Sequence, residues 1–160
     1  MERLAAAGYR HGPAGTVERP PSVSSPEDSE RWSSPFVGMA RNAGITAKFP
    51  EQLWELGFNA ALDFREPTIV AHPDPGPGRM CVWVRRRDRV AITPAIAAYL
   101  ADMVPLSVAH ACGVMAGGIS LDNTIRVGAF EPTEWVLVDL RAHFAAGGYG
   151  HGAAQLWSES

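Results

Sequence analysis

Apolar residues follow no clear period up to about Phe64, and become regular from Met80 onward. Met80-Cys-Val-Trp-Val-Arg is short, β-branched and aromatic, which predicts a strand. Thr93-Pro94 then supplies a helix cap and a pre-set first turn. The run AIAAYLADMVPLSVAHAC that follows is apolar nearly all round, so the predicted helix needs cover on most of its circumference. Pro105 removes a backbone donor, and either kinks the helix or ends its first section. Gly113, Gly117 and Gly118 stop it. Three strands are expected next, over Ile119–Val127, Trp135–Phe144 and about Tyr149–Trp157. In the second, Val136, Val138, Leu140, Ala142 and Phe144 share one face, with Trp135, Leu137, Asp139 and Arg141 on the other. The third is rich in glycine (Gly150, Gly152, with Gly147 and Gly148 in the turn before it), which marks a bulge or the close approach of a ligand or backbone.

The first third of the chain reads differently. Gly8 to about Pro35 is dominated by Pro, Ser, Gly and charge, and cannot bury enough apolar surface to offset the entropy of ordering it. Ser25-Pro26 could still cap a short helical turn. PEQLWELGFNAALDF suits an irregular amphipathic helix weakened by Gly57, and the turn cluster His72–Arg79 follows. The expected division is therefore residues 1–66 as a linker, arm or remnant of a first domain, and 67–160 as an α+β domain whose antiparallel sheet wraps one helix. Leu156–Ser160 reads as a strand arriving at its turn, so a final strand is expected beyond it. A sheet edge left bare in this way invites pairing with a second copy.

Composition narrows the function. A net charge of −3 argues against a nucleic-acid partner, and no apolar run approaches the ~18 residues that span a bilayer. Met1–Ala7 lacks the apolar core of a signal peptide, so a cytoplasmic protein is expected. The two cysteines, Cys81 and Cys112, lie in apolar segments outside any CxxC or Cys/His cluster and read as buried free thiols, with no metal or cofactor expected. Arg85, Arg86, Arg87 and Arg89 form the one dense positive run, which is either a solvated strand end or a contact for anionic phosphates.

Few residues could carry chemistry. Asp102 sits inside an apolar helix, where a carboxylate must face water, pair, or serve a polar site that activates a water molecule. On the strand expected at GGISLDNTIRV, Ser120, Asp122, Thr124 and Arg126 share a face, with Ile119, Leu121, Ile125 and Val127 opposite. That stripe is either the wet face of a sheet or a hydroxyl and carboxylate that hold a water or a thioester carbonyl. Asp122 and Arg126 could also pair. His151, within GYGHG, has glycine neighbours that would admit a ligand; His110 and His143 read as packed or surface side chains. GGIS lacks the second glycine of a nucleophile elbow, and no phosphate-binding glycine loop occurs.

ADMVPLSVAHACGVMAGGISLDNTIRV followed by EWVLVDLRAHFAAGGYGHGAAQLWSE resembles the thioesterase II type of acyl-CoA thioesterase, in which two hotdog domains are fused and the active site belongs to the C-terminal one. The resemblance covers about the last half of the chain. It implies a hotdog fold, an acyl-CoA substrate, and single-step hydrolysis by a water held between a helix Asp, a Ser or Thr of an S/T-x-D motif, and a Gln on the last strand. The first two fall on Asp102 and Ser120; the Gln would lie on a strand after Trp157. Asn123 stands where many members have His. Asp122 and His151 would contact substrate, with Arg85 and Arg86 near the CoA phosphates. An inactive acyl-binding or dimerisation hotdog is the alternative. A hotdog dehydratase ranks below both, because His110 and His143 lack the HxxxxG and FPG contexts of such enzymes.

Overall fold

In a computed structural model of the chain, residues 20–32, 57–71, 76, 78–114, 116–128 and 131–159 are described. Seven strands and two helices occur among them, in the order β1 (Ser22–Val23), β2 (Glu30–Arg31), β3 (Leu62–Glu66), β4 (Ile69–Ala71), β5 (Met80–Arg86), α1 (Pro94–Ala101), α2 (Val104–Ala111), β6 (Trp135–Ala146) and β7 (Tyr149–Ser158). β2-β3-β5-β6-β7 make one antiparallel sheet, and β1 pairs with β4 in a separate ribbon.

Alternation along the strands divides the core between the two faces of this sheet. Leu62 and Phe64 of β3, Val82 and Val84 of β5, and Val136, Val138 and Leu140 of β6 pack with Ile92 and with Leu100 of α1. Burying side chains of this size stabilises the fold by about 1.5–3 kcal/mol each. Cys81, Trp83, Trp135 and Leu137 form a second cluster on the opposite face. Val84 therefore sits between two neighbours of its own kind, Phe64 and Val136, which is what its register in β5 requires.

The helices start and stop as the sequence expects. Thr93 Oγ1 accepts from the Ile96 N–H at 3.4 Å, and Pro94 opens α1. Pro105 has no N–H for the Ala101 carbonyl, so α1 ends at Ala101, and α2 begins at Val104, after two intervening residues. Two expectations are corrected here. The helical run is not wrapped on all sides, since Tyr99, Asp102 and His110 are exposed. Cys112 is exposed as well, and only Cys81 is a buried thiol.

The reason lies in residues 116–128. They form no strand, and Ile119 and Leu121 are 90% and 80% exposed. The alternating pattern is present, but no strand among the described residues pairs with it, and an extended segment without a ladder partner stays outside the sheet. β7 likewise has a hydrogen-bonded neighbour on the β6 side alone among the described residues.

The N-terminal third also departs from its pattern. Gly57–Ala61 is a 3-10 turn, and Leu62–Glu66 is a strand, where a helix was expected; residues 51–56 lie outside the described residues. The alternation of Leu62 and Phe64 prevails because both bury against β5, and Gly57 takes φ +61°, which breaks a helix. β3 thus belongs to the sheet although it precedes residue 67, where the second domain was expected to start. Residues 20–32, expected in an arm, are tied to the same body. Ser24 accepts from the Trp83 indole at 2.9 Å through its carbonyl, and the Trp32 and Phe64 rings meet edge-on at 5.8 Å. The Ser25 cap forms, its hydroxyl accepting from the Asp28 N–H at 3.2 Å.

The glycines of β7 serve the helix. A Cβ at Gly150 would lie 2.8 Å from Val108 Cγ1, and one at Gly152 would lie 2.7 Å from Val104 Cγ1 and 2.4 Å from the Arg141 carbonyl. α2 can approach this strand only because both positions lack a side chain. Gly152→Ala is expected to destabilise the protein by about 1–3 kcal/mol through overpacking. The check is a lower urea midpoint with an unchanged slope.

On the opposite face a charged pair is buried. Arg79 Nε meets Asp139 Oδ1 at 2.8 Å and Nη2 donates to Oδ2 at 2.9 Å. Cys81 Sγ lies 3.8 Å from the same carboxylate, and burial, then the Asp139 charge, push its thiol up from 9.0 to about 12. A neutral thiol is favoured by the fold, so this group adds stability below pH 9.0, and that contribution is lost as pH rises toward about 12. At neutral pH a maleimide should label Cys112 and spare Cys81, as mass mapping of the folded chain would report. Rapid labelling of Cys81 would refute the buried environment.

Candidate functional site

Asp102 owes its position to a proline three residues away. Because α1 stops at Ala101, Asp102 sits at the break between the helices with φ −74° and ψ 5°, its N–H donating to the Tyr99 carbonyl at 3.1 Å. Its side chain faces outward and is exposed, as a carboxylate in so apolar a run must be. Residues 116–128 run beside this break. Gly118 lies against Pro105, where an added Cβ would be 3.2 Å from the proline Cβ.

That approach brings two donors to the carboxylate. Ser120 Oγ donates to Asp102 Oδ1 at 2.5 Å, and Asn123 Nδ2 donates to the same oxygen at 2.8 Å. Both bonds use Oδ1, so Oδ2 is the oxygen that takes neither donor. Tyr99 borders the cluster, its hydroxyl donating to Asn59 Oδ1 at 3.1 Å. Partial burial, then the Asp102 charge, raise the Tyr99 phenol above its ordinary value, which keeps it neutral beside the carboxylate.

The other expected site residues are placed elsewhere or left open. Asp122 is exposed and pairs with neither Arg126 nor the Asp102 cluster. Arg85 is held inside the fold: Nη2 lies 3.0 Å from Asp63 Oδ2, Nη1 lies 3.0 Å from Glu134 Oε1, and its guanidinium covers the Trp135 ring at 4.5 Å. Arg86 pairs with Asp88 in the following turn. Those contacts turn the arginine run into strand-end structure. His151 is exposed on β7, but Gly150 and Gly152 on either side of it admit α2, so alternation puts His151 on the face away from the helices and from Asp102.

Asn123 was the residue that pattern reading did not single out as part of a site. A neutral amide leaves no mark in charge or hydropathy. The available signal was chemical, since an ionised carboxylate at a helix break has room for more than one donor. Among the described residues no group of three or more His, Cys, Asp or Glu comes together as a metal cluster.

A five-stranded antiparallel sheet with helices packed on one face defines a hotdog domain. Residues 16–160 match the family model described as the acyl-CoA thioesterase C-terminal domain, and the chain belongs to that family. It is also similar to a solved structure from Novosphingobium aromaticivorans that carries a provisional thioesterase assignment, with 25% identity and a TM-score of 0.64. The match covers 95% of this chain and 53% of that one, so the chain spans about half of its length. No curated protein matches it. No helix among the described residues is long and apolar enough to cross a membrane.

Proposed function

We propose that the chain hydrolyses fatty acyl-CoA thioesters to free acid and CoA, with Asp102 as general base and Ser120 as the second holder of the attacking water. One observation carries this reading: Asp102 Oδ1 is occupied by Ser120 and Asn123, at 2.5 Å and 2.8 Å. The two donors fix the carboxylate through one oxygen and leave the other to accept a proton. Ser120 donates its hydrogen to Asp102, so its lone pairs remain to accept from the water. A water bridging Oδ2 and Ser120 Oγ presents its own lone pair to the thioester carbonyl carbon. Attack forms the C–O bond as Asp102 takes the proton, and collapse breaks the C–S bond as the proton passes to the leaving CoA sulfur. No acyl-enzyme forms.

Asp122, one residue from Asn123, remains a candidate contact for the substrate. Arg85 and Arg86 are engaged with Asp63, Glu134 and Asp88, and His151 lies on the far face, so we leave these three out of the site. We assign the protein to the cytoplasm, where its free cysteines would stay reduced, and to no nucleic acid, in keeping with its net charge of −3.

The test incubates the chain with medium- and long-chain acyl-CoAs while free thiol is followed. Thiol release above background that falls by about tenfold or more in Ser120→Ala is expected for loss of a water-orienting hydroxyl. Absence of any release defeats the proposal.

A second reading is favoured by a separate observation. Ser120 and Asn123 ride on a segment that pairs with no strand among the described residues and exposes Ile119 and Leu121, and the β7 edge away from β6 has no neighbouring strand among the described residues. Such surfaces suit an acyl-binding or dimerisation module without turnover, a homo-oligomer formed through sheet edges. Binding of a non-hydrolysable acyl-CoA without thiol release, together with dimers in sedimentation, would select it.

A further inference from the structure

The far end of the β6–β7 ribbon carries two imidazoles side by side. The strands pair regularly up to Ala142↔Gly152, after which Phe144, and not His143, is the partner of His151. His143 is the extra residue of a β-bulge, which sets two residues of one strand opposite one of the other. Its ring thus comes to rest beside that of His151, with centroids 5.2 Å apart and planes tilted by 47°. Both residues are exposed. They stand on an arm, since β5 pairs with β6 only as far as Leu140.

We propose that His143 and His151 form a two-ligand site for a borderline divalent transition ion, Zn2+ in the first instance, with water completing the coordination. A metal bound at ~2.1 Å from a ring nitrogen lies ~3.2 Å from that ring's centre, and two such rings at a tetrahedral angle have centres ~5.2 Å apart. The observed separation is 5.2 Å, so the ion can be taken up by turning exposed rings about their own bonds, without moving the backbone. Each imidazole has two nitrogens; coordination takes one and leaves the other for a hydrogen bond. No third His, Cys, Asp or Glu joins the pair among the described residues, which makes the site open and exchangeable in contrast to a closed structural zinc centre. Hard cations such as Mg2+ need oxygen ligands, and no Asp or Glu joins the pair among the described residues. The ion would join two strands of one hairpin, and because the unfolded chain does not hold the rings together, it stabilises the folded arm.

The test uses the full untagged chain titrated with Zn2+, and separately with Mg2+, by calorimetry and by NMR of the imidazole rings. One Zn2+ per chain is expected, with shifts confined to His143 and His151, no response to Mg2+, and a rise in Tm with Zn2+. His143→Gln and His151→Gln should each weaken binding by about tenfold or more and abolish the rise in Tm, while His110→Gln changes neither. Absence of saturable Zn2+ binding by the parent chain, or binding that survives both ribbon variants, overturns the site. Should a variant fail to fold, the ring shifts of the parent chain still decide. None of these readouts depends on whether the chain hydrolyses acyl-CoA.

Discussion

Asp102→Asn is expected to lower acyl-CoA hydrolysis by about 100- to 10,000-fold, the range of a general base in the transition state. The substitution is nearly isosteric, and the side-chain oxygen of Asn can still accept from Ser120 and Asn123. What it loses is the ability to take a proton from water. Because Asp102 is exposed and outside the core, thermal unfolding and the circular-dichroism spectrum should match those of the parent. A loss of rate with an unaltered fold therefore isolates the chemistry. Retention of most of the activity would show that the water is activated elsewhere, whatever the geometry around Oδ1. Asn123→Ala should fall between the two, since it removes one of the donors that orient the carboxylate and leaves the base itself in place.

Arg79→Ala is expected to be the most damaging single change to stability, at about 3–5 kcal/mol, because it strands a carboxylate in the sheet. The Asp139 side chain is 1% exposed and that of Arg79 11%, so no water replaces the missing guanidinium on the Asp139 side. The pair need not be a net gain over an apolar pair of similar volume; the loss comes from the charge left behind. Combining Arg79→Ala with Asp139→Leu should accordingly recover part of the deficit. Urea unfolding of the single and double variants provides the measurement, and a single variant with the parent's midpoint would refute the buried pair. Arg86→Ala is the control. Its partner Asp88 is in solvent, and screening makes such pairs weak, so the midpoint should not move.

The strands β5, β6 and β7 and the start of the helical run were legible in the chain because each is written locally. Val136, Val138 and Leu140 alternate with Leu137 and Asp139, and this settles which residues face the helices whatever lies further along the sequence. Thr93, Pro94 and Pro105 act within one turn of where they sit, so the start of α1 and a kink or end near Pro105 needed no distant information, and the structure resolves that choice as an end at Ala101. Asp102 and Ser120 were marked by type and setting, a carboxylate in an apolar run and a hydroxyl in SLDN. The misreadings share a cause. Leu62–Glu66 became a strand, and residues 116–128 did not, because a strand exists only where another supplies its hydrogen bonds. Alternation is a property of the segment, whereas pairing is a property of its neighbours.

The same division separates the pieces of the site. The chain by itself determined which groups could do chemistry, and that Pro105 would kink or end the helix carrying the carboxylate. Tertiary structure alone decided that Asn123 reaches Asp102, that Arg85 is held by Asp63, Glu134 and Trp135, and that His151 faces away beside His143. Each of these joins residues brought together by strand register or by the path of a loop, and separations of a few ångströms between such positions are set by packing, on which local periodicity has no bearing.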